Sequence, residues 1–329
     1  MIYKLDIKDK KLLYELDLNS KQSFNELGRK VGLSKNSVKY RIDNLQREGI
    51  IKRFHAVVDI GKLGYISFRI YINLQNTTPE KEREIIKFLT EKDIVTWVVS
   101  IEGDYDVGVL VLTKSIKEIN ELWKELSEEY INFIDKKNLA IMTNVFYYSR
   151  AYLLGLKNNI YETTFITEPE QDALKNPLDH VDFEILKIIV SNSRVSLVDM
   201  ATKLKLSTKT IISRIKDLER KKIIIGYRTV FDLEKLGFQY YKVHFQLHNV
   251  SHDGKKEFKS YIKSHPNIIY DDEVLGGDDL EIELQVRDAI ELRKIIEEIK
   301  ERFGKMIKEY KTMLYYKEHK YLFLPIKLE

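Results

Sequence analysis

Polar and basic side chains recur between residues 33 and 51 at a spacing that would gather them on one side of a helix. Asn36, Lys39, Tyr40 and Arg47 supply an amide, an ammonium group, a phenol ring and a guanidinium group. Such groups can bond to base edges in a duplex groove and to backbone phosphates. Charged groups also cover the outer face of ordinary soluble helices, so this stretch alone leaves both interpretations open.

An apolar stripe on the opposite side of the same stretch indicates how the helix is held. Val38, Ile42 and Leu45 recur at helical spacing, which predicts a face that packs on partner helices. Ser34 is expected to cap this helix, and Gly32 is expected to end the preceding one in the left-handed conformation.

Two further helices are predicted upstream. Asp6 with Asp9 forms a cap pattern, and Ser23 with Glu26 forms a capping box for a short helix that ends near Val31. Three helices with a short turn before the third make a helix-turn-helix head. The β-rich run that follows is expected to leave the head as an extended connector.

The composition excludes several classes of protein. The chain has 329 residues, of which 43% are hydrophobic and 32% charged, as in soluble globular proteins with two to four compact units. With no run of eighteen apolar residues and no basic-then-apolar leader, we expect a cytoplasmic protein without a membrane span. The absence of cysteine excludes disulfides, thiol nucleophiles and cysteine-type zinc fingers.

Positive charge is concentrated in two segments, although the net charge is only +4. Residues 1–56 carry 13 Lys and Arg against 7 Asp and Glu, and residues 178–229 carry 11 against 6. The rest of the chain is therefore net negative. This segregation indicates an anionic partner without identifying it.

The two basic segments are copies of one another, separated by 173 residues without a gap. The matching pairs are Leu5-Asp6 with Leu178-Asp179, Leu33-Ser34 with Leu206-Ser207, Arg41-Ile42 with Arg214-Ile215, Leu63-Gly64 with Leu236-Gly237, and Gly103 with Gly276. A repeat of this length is a folded module rather than a solenoid unit.

After its head, each copy predicts a βαββαβ body. In the first copy the expected strands are 65–74, 95–101, 106–113 and 137–148, and the expected helices are 79–92 and 116–130. That order is the ferredoxin-like arrangement, an antiparallel sheet with both helices on one face and the other face available for a partner. The second body repeats the pattern from Phe238 to Leu324.

The predicted fold class is therefore α+β, with two tandem modules that each join a winged-type helix-turn-helix head to a ferredoxin-like domain. The expected domains are a first head at 1–60, a first ferredoxin-like domain at 61–152, a linker at 153–177, a second head at 178–233 and a second ferredoxin-like domain at 234–329. The linker is assigned from its weak periodicity, its two prolines and its acidic patch.

This plan resembles the leucine-responsive and asparagine-operon regulator family (Lrp/AsnC) over nearly the whole chain, twice. The matching residues are Leu33-Ser34, Arg41-Ile42, Leu45, Gly49-Ile50-Ile51, Asp59, Leu63-Gly64 and Gly103-Asp104-Tyr105-Asp106. The resemblance implies a sequence-specific transcription regulator that binds double-stranded DNA, pairs through its sheet domains and takes a free amino acid as effector. Two heads in one chain depart from the usual single head, so the sheets could pair within one chain or as a homo-oligomer.

The resemblance also places the residues that would contact DNA. In the first head they are Ser34, Lys35, Asn36, Ser37, Lys39, Tyr40 and Arg41, with Arg47 on the same outer face, and in the second head they are Ser207, Thr208, Lys209, Thr210, Ser213, Arg214 and Lys216. Arg41 either holds phosphate or stabilises its head. Because the outer faces differ, we predict that the heads prefer different half-sites, the alternative being that one head grips only phosphate.

The second head lacks two glycines of the first. Lys205 replaces Gly32 and Lys222 replaces Gly49, so either the turn differs or the head is marginally stable. The extra lysines favour phosphate contacts.

For an effector, the candidate residues are those of the central hairpin turns. They are Gly103, Asp104, Tyr105 and Asp106 in the first copy, with Gly276 and Asp279 in the second. An acidic turn could hold an ammonium group while a glycine amide meets a carboxylate. The alternative is that these residues only satisfy the geometry of a tight hairpin.

Two other functions compete with regulation. The scaffold also resembles that of siroheme decarboxylases, and a nonspecific architectural DNA-binding protein would share the basic heads. His244, His248 and His252 have a spacing that could hold a metal, but the first copy has no matching trio, so we interpret them as a strand edge and loop. Asp271, Asp272 and Glu273 are interpreted as a solvated loop. No catalytic residue, metal site or cofactor is predicted.

Overall fold

The two predicted modules are present as two heads and two bodies. The structure, a computed structural model, describes residues 2–157, 162–166 (backbone only), 178–322 and 324–325. The helices are α1 (Ile7–Leu18), α2 (Phe24–Val31), α3 (Lys35–Arg47), α4 (Pro79–Glu91), α5 (Ile116–Tyr130), α6 (His180–Ser191), α7 (Leu197–Leu204), α8 (Thr208–Arg220), α9 (Leu233–Leu236), α10 (His252–Ser264) and α11 (Ala289–Phe303).

The strands alternate with these helices as the repeat predicts. They are β1 (Ile51–Val58), β2 (Ile66–Leu74), β3 (Val95–Glu102), β4 (Val107–Thr113), β5 (Ile134–Tyr148), β6 (Glu162–Ile166), β7 (Ile224–Phe231), β8 (Gln239–Leu247), β9 (Ile268–Leu275), β10 (Leu280–Val286) and β11 (Ile307–Tyr321). Strand β5 begins at Ile134 instead of residue 137. Strand β6 lies inside the predicted linker and pairs with β5.

The two bodies close into one barrel. The strand order is β2-β4-β3-β11-β8-β10-β9-β5-β6, and β2 also pairs with β5, so every strand of this sheet except β6 belongs to a closed antiparallel ring. The sequence predicts that one face of each sheet is available for a partner. In the structure, that partner is the other body of the same chain. A barrel of this size is just wide enough for side chains to fill its interior.

The joints between the bodies obey the 173-residue repeat. Ile141 lies opposite Leu275 where β5 meets β9, and Glu102 lies opposite Leu314 where β3 meets β11. Each residue of the first pair is the copy of one residue of the second. The barrel is therefore built around a pseudo-twofold axis.

The helices of each body pack on the outside of the barrel. Ile85, Leu89 and Leu122 lie with Ile70 and Val109 in the core of the first body. Phe258, Ile295 and Ile299 pack with Val243 and Ile282 in the second. Alternate residues of the same strands point inward, away from these cores.

The heads share a two-stranded ribbon in which β1 pairs with β7. His55 lies opposite Arg228, its own copy, so the pseudo-twofold axis passes through this pair. Ala56 and Val58 of β1 pack in the core of the second head, and Phe231 of β7 packs in the core of the first. The β-rich connector of each head thus completes the core of the other head.

The expectation for the acidic stretch after residue 270 is wrong. Asp271 and Asp272 lie within strand β9 and are buried instead of forming a solvated loop. Asp271 accepts from Lys259 Nζ at 2.6 Å, and Asp272 is bonded to the ammonium group of Lys242. Because each carboxylate is paired with a lysine from another element, both can be buried away from solvent. None of the helices in the described ranges is long and apolar enough to cross a membrane.

Candidate nucleic-acid interface

Helix α3 exposes the polar face that the sequence predicts. Its apolar side is buried, with Val38, Ile42 and Leu45 no more than 1% exposed. The amide of Ser37 donates to Ser34 Oγ at 3.2 Å, so Ser34 is the N-cap. The candidate DNA contacts that are exposed to solvent are Ser34, Lys35, Asn36, Lys39, Tyr40 and Arg47.

Arg41 has a partner inside its own head. Its Nη1 donates to Asp6 Oδ2 and to Asp9 Oδ1, each at 2.7 Å. The hydrogen bond that Arg41 donates to Asp9, followed by the one it donates to Asp6, raises the pKa of Arg41. Of the two roles considered for this residue, the contacts assign it to stabilisation of the head, because it ties α3 to the start of α1.

The second head repeats this arrangement. Arg214 bonds to Asp179 and, at 3.2 Å, to Asp182, which are the copies of the two aspartates in the first head. Ser207 caps α8 by accepting from the amide of Thr210 at 3.1 Å. The candidate contacts of this head that are exposed to solvent are Ser207, Thr208, Lys209, Ser213 and Lys216.

The turn of the second head keeps the geometry of the first despite its lysines. Gly32 has φ 72° and ψ 52°, and Lys205 adopts φ 54° and ψ 42° at the same position. Lys222, which replaces Gly49, also has a positive φ of 53°. The turn therefore does not differ, and the second head carries two non-glycine residues in a conformation that costs about 1–2 kcal/mol each.

The exposed faces of the two heads differ in chemistry. Where the first head has Lys39 and Tyr40, the second has Ile212, which is 37% exposed, and Ser213. Lys209 replaces Asn36 on the same face. An aliphatic group can contact a thymine methyl but cannot donate a hydrogen bond to a base edge, so the two faces offer different chemical groups to a duplex.

The two heads are held to each other by half-buried hydrogen bonds, and the first head is held to its body by buried ones. Arg194 donates to the carbonyls of Ser20 and Gln22, each at 2.9 Å. Asp17 of α1 accepts from Tyr147 Oη at 2.6 Å and from the amide of Arg150 at 2.9 Å, and both residues lie at the end of the first body. The first head is therefore anchored to the barrel through a charged side chain.

The candidate effector turns carry residues with clear structural roles. Asp106 Oδ2 accepts from the amide of Leu74 at 2.7 Å, and Asp279 Oδ2 accepts from the amide of Leu247 at the same distance. In both copies, the aspartate side chain therefore ties the hairpin turn to the backbone of the neighbouring strand by the same hydrogen bond. That contact favours the interpretation in which they satisfy turn geometry.

The glycines of these turns are required because the backbone of a strand from the other body passes close to each of them. A Cβ on Gly103 would lie 2.7 Å from the carbonyl oxygen of Thr312, and one on Gly276 would lie 3.0 Å from that of Leu139. Both glycines also have positive φ angles, of 139° and 86°. Any side chain at these positions would separate the strands that close the barrel.

Two members of the first effector turn contact side chains of strand β2. Tyr105 stacks on Tyr71 with ring centroids 5.0 Å apart, and the backbone carbonyl of Asp104 accepts from Asn73. Tyr71 in turn lies 5.7 Å from the ring of His244 in the second body. The first turn is thus connected to the second body through aromatic rings.

The histidine trio does not assemble, and the expectation of a strand edge is wrong for His244, because β8 pairs with β10 and β11 on its two sides. His244 is buried in the barrel, where its Nδ1 lies 2.9 Å from Asp278 Oδ2 and burial lowers its pKa. His248 and His252 are exposed beyond the end of β8. Within the described ranges, no group of three or more histidines, aspartates and glutamates could hold a metal ion.

Sequence reasoning missed a cluster of buried charges inside the barrel. Arg69 and Glu281 form a two-bonded ion pair, and Lys242 is fully buried beside Asp272 and Glu283. A signal was present in the sequence, because these charges alternate with apolar residues in strands whose other face is buried. Polar residues in such positions either face solvent or line a shared interior, and the pattern cannot distinguish the two.

Comparison with known proteins agrees with the geometry of the heads. The family model for winged helix-turn-helix DNA-binding domains matches residues 5–52 and 178–225, which are the two heads. The chain is 31% identical over 131 residues to the HTH-type transcriptional regulator Ptr1 of Methanocaldococcus jannaschii, a match that covers 39% of this chain and 85% of that protein. It is 33% identical over 116 residues to the regulator FL11 of Pyrococcus horikoshii, covering 35% and 76%.

The chain belongs to the Lrp/AsnC family of helix-turn-helix transcription regulators. Its departure from single-module members of the family is that it contains two modules, each with a head and a body. The full length of the chain resembles the siroheme decarboxylase NirDL in fold, with a TM-score of 0.63, 14% identity, and coverage of 97% of this chain and 94% of that one. At that identity the likeness concerns the fold alone.

Proposed function

We propose that this chain is a cytoplasmic transcription regulator that uses both heads at once on a duplex site with two different halves. The observation that supports it best is the pairing of β1 with β7, which joins two recognition helices with unlike exposed faces around one pseudo-twofold axis. Two heads related by such an axis would address two half-sites in opposite orientation. Because their faces differ, the site should not be a palindrome.

The first head would provide most of the base reading. Asn36 and Tyr40 carry groups that can bond to base edges, while Lys35 and Lys39 supply positive charge for phosphates. The second head would read through Ile212 and Ser213 and hold phosphate through Lys209 and Lys216. Ser37 and Arg41, although predicted to contact DNA, are hydrogen-bonded within their own head.

Selection of binding sites from random duplex tests this proposal directly. The whole chain should select a site whose two halves differ, and each half should tolerate substitution independently. A variant in which Asn36→Lys, Lys39→Ile and Tyr40→Ser copy the second head onto the first should select a more symmetric site. The matched control is Lys87→Gln at an exposed position of α4 in the first body, which should leave the selected sequence unchanged.

The outcomes of selection separate the alternatives. A perfect palindrome for the native chain would contradict the asymmetric site. Enrichment of no sequence, together with affinity that falls with salt equally on all duplexes, would favour the architectural protein. A regulator should prefer its own site by at least about 10³-fold over random duplex at physiological salt.

We further propose that a free amino acid binds this regulator as an effector. Since Gly103, Asp106 and their copies have structural roles, the side chains available for a ligand at the first turn are those of Asp104 and Tyr105. Calorimetric titration of the chain with each of the twenty amino acids tests the idea. Heat for none of them, in the presence or absence of operator DNA, would reject it.

An enzyme is the second candidate, because the barrel interior holds a histidine and carboxylates together. Decarboxylation of siroheme is the activity to assay, given the whole-chain likeness in fold. The regulator hypothesis predicts no turnover above that of a variant with His244→Gln. Turnover that this substitution abolishes would favour the enzyme.

A further inference from the structure

One ion pair inside the barrel joins the two modules. Arg69 of β2 donates through both terminal nitrogens to the carboxylate of Glu281 in β10, with Nη2 2.7 Å from Oε1. The two side chains are 3% and 0% exposed. Both charges are therefore removed from water, and the guanidinium group of the first module is compensated by a carboxylate of the second.

The pair has no copy on the other side of the pseudo-twofold axis. The residue equivalent to Arg69 is Lys242, and the residue equivalent to Glu281 is Gly108. Gly108 is already packed, since a Cβ there would lie 2.9 Å from Val99 Cγ1 and 3.1 Å from Tyr71 Cε1. No carboxylate could enter the first body at this point without displacing its apolar neighbours.

Lys242 is compensated by its own module instead. Its ammonium group bonds to Asp272, lies 3.3 Å from Glu283 Oε1 and lies 3.5 Å from Glu281 Oε2. Burial alone would lower the pKa of Lys242, but these carboxylates raise it, so the group stays charged. Burial would likewise raise the pKa of Glu281, yet Arg69 and Lys242 lower it to about 2.

The interiors of the two bodies are thus complementary in charge. In the described structure, β2 to β5 bury one guanidinium group and no carboxylate, and their residues equivalent to Asp272 and Glu283 are Val99 and Leu110. The second body places one ammonium group and three carboxylates in the interior. They belong to Lys242, Asp272, Glu281 and Glu283. Two first bodies would bury two cations without a carboxylate, and two second bodies would bury six carboxylates against two cations.

We propose that this buried charge makes the two modules an obligate unlike pair: the second module accepts only a partner that brings a guanidinium group to Glu281, and neither module pairs with a copy of itself. Like pairs would leave buried charge uncompensated, which is a device for specificity against unwanted partners. Every assembled barrel then carries one head of each kind. This inference goes beyond the proposed function, since it holds whatever the heads bind.

The test is exchange of modules after cleavage of the folded chain. A protease site is placed between residues 170 and 176, and purified chains with normal and heavy isotopes are cleaved, mixed, unfolded in urea, refolded and weighed by native mass spectrometry. We expect complexes of one amino-terminal and one carboxy-terminal fragment. Pairing without discrimination would place roughly half of the complexes in like pairs, and that result would overturn the proposal.

A second variant tests the cause. Arg69→Met with Glu281→Met removes one charge from each module and replaces the pair by apolar groups of similar size, a change that buried ion pairs tolerate. Like pairs of amino-terminal fragments should then rise at least about fivefold. The matched control, Arg293→Gln with Glu297→Gln, removes an exposed pair in α11 and should leave the distribution unchanged.

The interpretation of the second experiment does not depend on DNA binding. If the native fragments discriminate but the apolar variant discriminates equally well, the buried charges are not the cause and the proposal fails. Circular dichroism before cleavage shows whether the variant is folded. If the variant does not fold, the native exchange experiment still decides whether like pairs form.

Discussion

The Oγ atoms of Ser20 and Ser193 lie 3.1 Å apart where the two heads meet, and both side chains are buried. The two serines occupy the same position in the two copies. Equivalent atoms can touch only on the axis that relates the copies, so this contact marks the pseudo-twofold axis of the heads. The same axis passes between His55 and Arg228 in the ribbon.

Replacement of both serines by cysteine should link the heads covalently. With the hydroxyls this close, the double variant Ser20→Cys and Ser193→Cys should form a disulfide within one chain, and the protein has no other cysteine to compete. We expect the loss of both free thiols without a change in oligomeric state, as measured by the molecular mass in solution. If the heads keep this arrangement on DNA, the oxidised protein should bind its operator within about twofold of the reduced one.

A disulfide that forms but abolishes DNA binding would mean that the heads separate on DNA. Ser20→Cys alone is the control, because it introduces the thiol without the link.

Substitution of Arg41 should affect the stability of the head more than its grip on phosphate. Arg41→Gln removes both bonds to Asp6 and Asp9, and we expect a loss of about 1 kcal/mol in the free energy of unfolding, measured in urea. Asp9→Asn should cost a similar amount, and the double variant should cost less than the sum of the two.

The salt dependence of DNA binding distinguishes this role from a phosphate contact. The slope of log affinity against log salt should be unchanged in Arg41→Gln, whereas Lys39→Gln should reduce it by about 1. A reduced slope in Arg41→Gln with unchanged stability would contradict the structural role.

The left-handed conformation of Lys205 gives a stabilising substitution. Lys205→Gly relieves the steric cost of φ 54°, and we expect a gain of about 1 kcal/mol in the free energy of unfolding. Lys203→Gly within α7 is the control and should destabilise by about 1 kcal/mol, because its backbone is helical. A destabilising effect of Lys205→Gly would indicate that the lysine side chain contributes contacts that exceed the strain.

His265 should make the second body less stable in acid. Its Nδ1 accepts from the amide of Asn267 at 3.2 Å, which requires the neutral ring, and burial lowers its pKa from 6.5 to about 4. Between these values the unfolded chain binds a proton that the folded chain does not. Stability is therefore complete above pH 6.5 and falls as the pH is lowered toward 4, by about 2 kcal/mol for this partly exposed group.

Urea unfolding at a series of pH values measures this effect. His265→Gln should flatten the profile between pH 6.5 and 4 relative to the native chain, and the exposed His252→Gln should not. Parallel profiles for the native chain and His265→Gln would show that other groups cause the loss.

The elements and the repeat followed from local signals in the sequence. Ser23, Ser34 and Gly32 act over one turn of backbone, so their caps and left-handed geometry could be predicted from neighbouring residues alone. The βαββαβ order followed from apolar periodicity, and the duplication from a constant separation between matching residues. The chemistry of the outer face of α3 required nothing beyond the helical period.

The roles of individual charges required the tertiary structure. Arg41 could serve phosphate or its own head, and its choice depends on Asp6 and Asp9, which lie 35 and 32 residues away. Asp271 and Asp272 resembled a solvated loop because Lys259 and Lys242, which allow their burial, are carried by other elements. Sequence separation hides such partners.

The amino-acid sequence by itself determined two copies of a head and a sheet body, because helix caps and strand alternation are short-range effects. Only the tertiary structure decided that the copies close on one another into a single barrel and share a ribbon between their heads. Closure depends on which faces meet across the chain, and it is there that Arg69 meets Glu281, 212 residues away. The energy of a buried charge is set by that distant partner, so no local pattern could have supplied it.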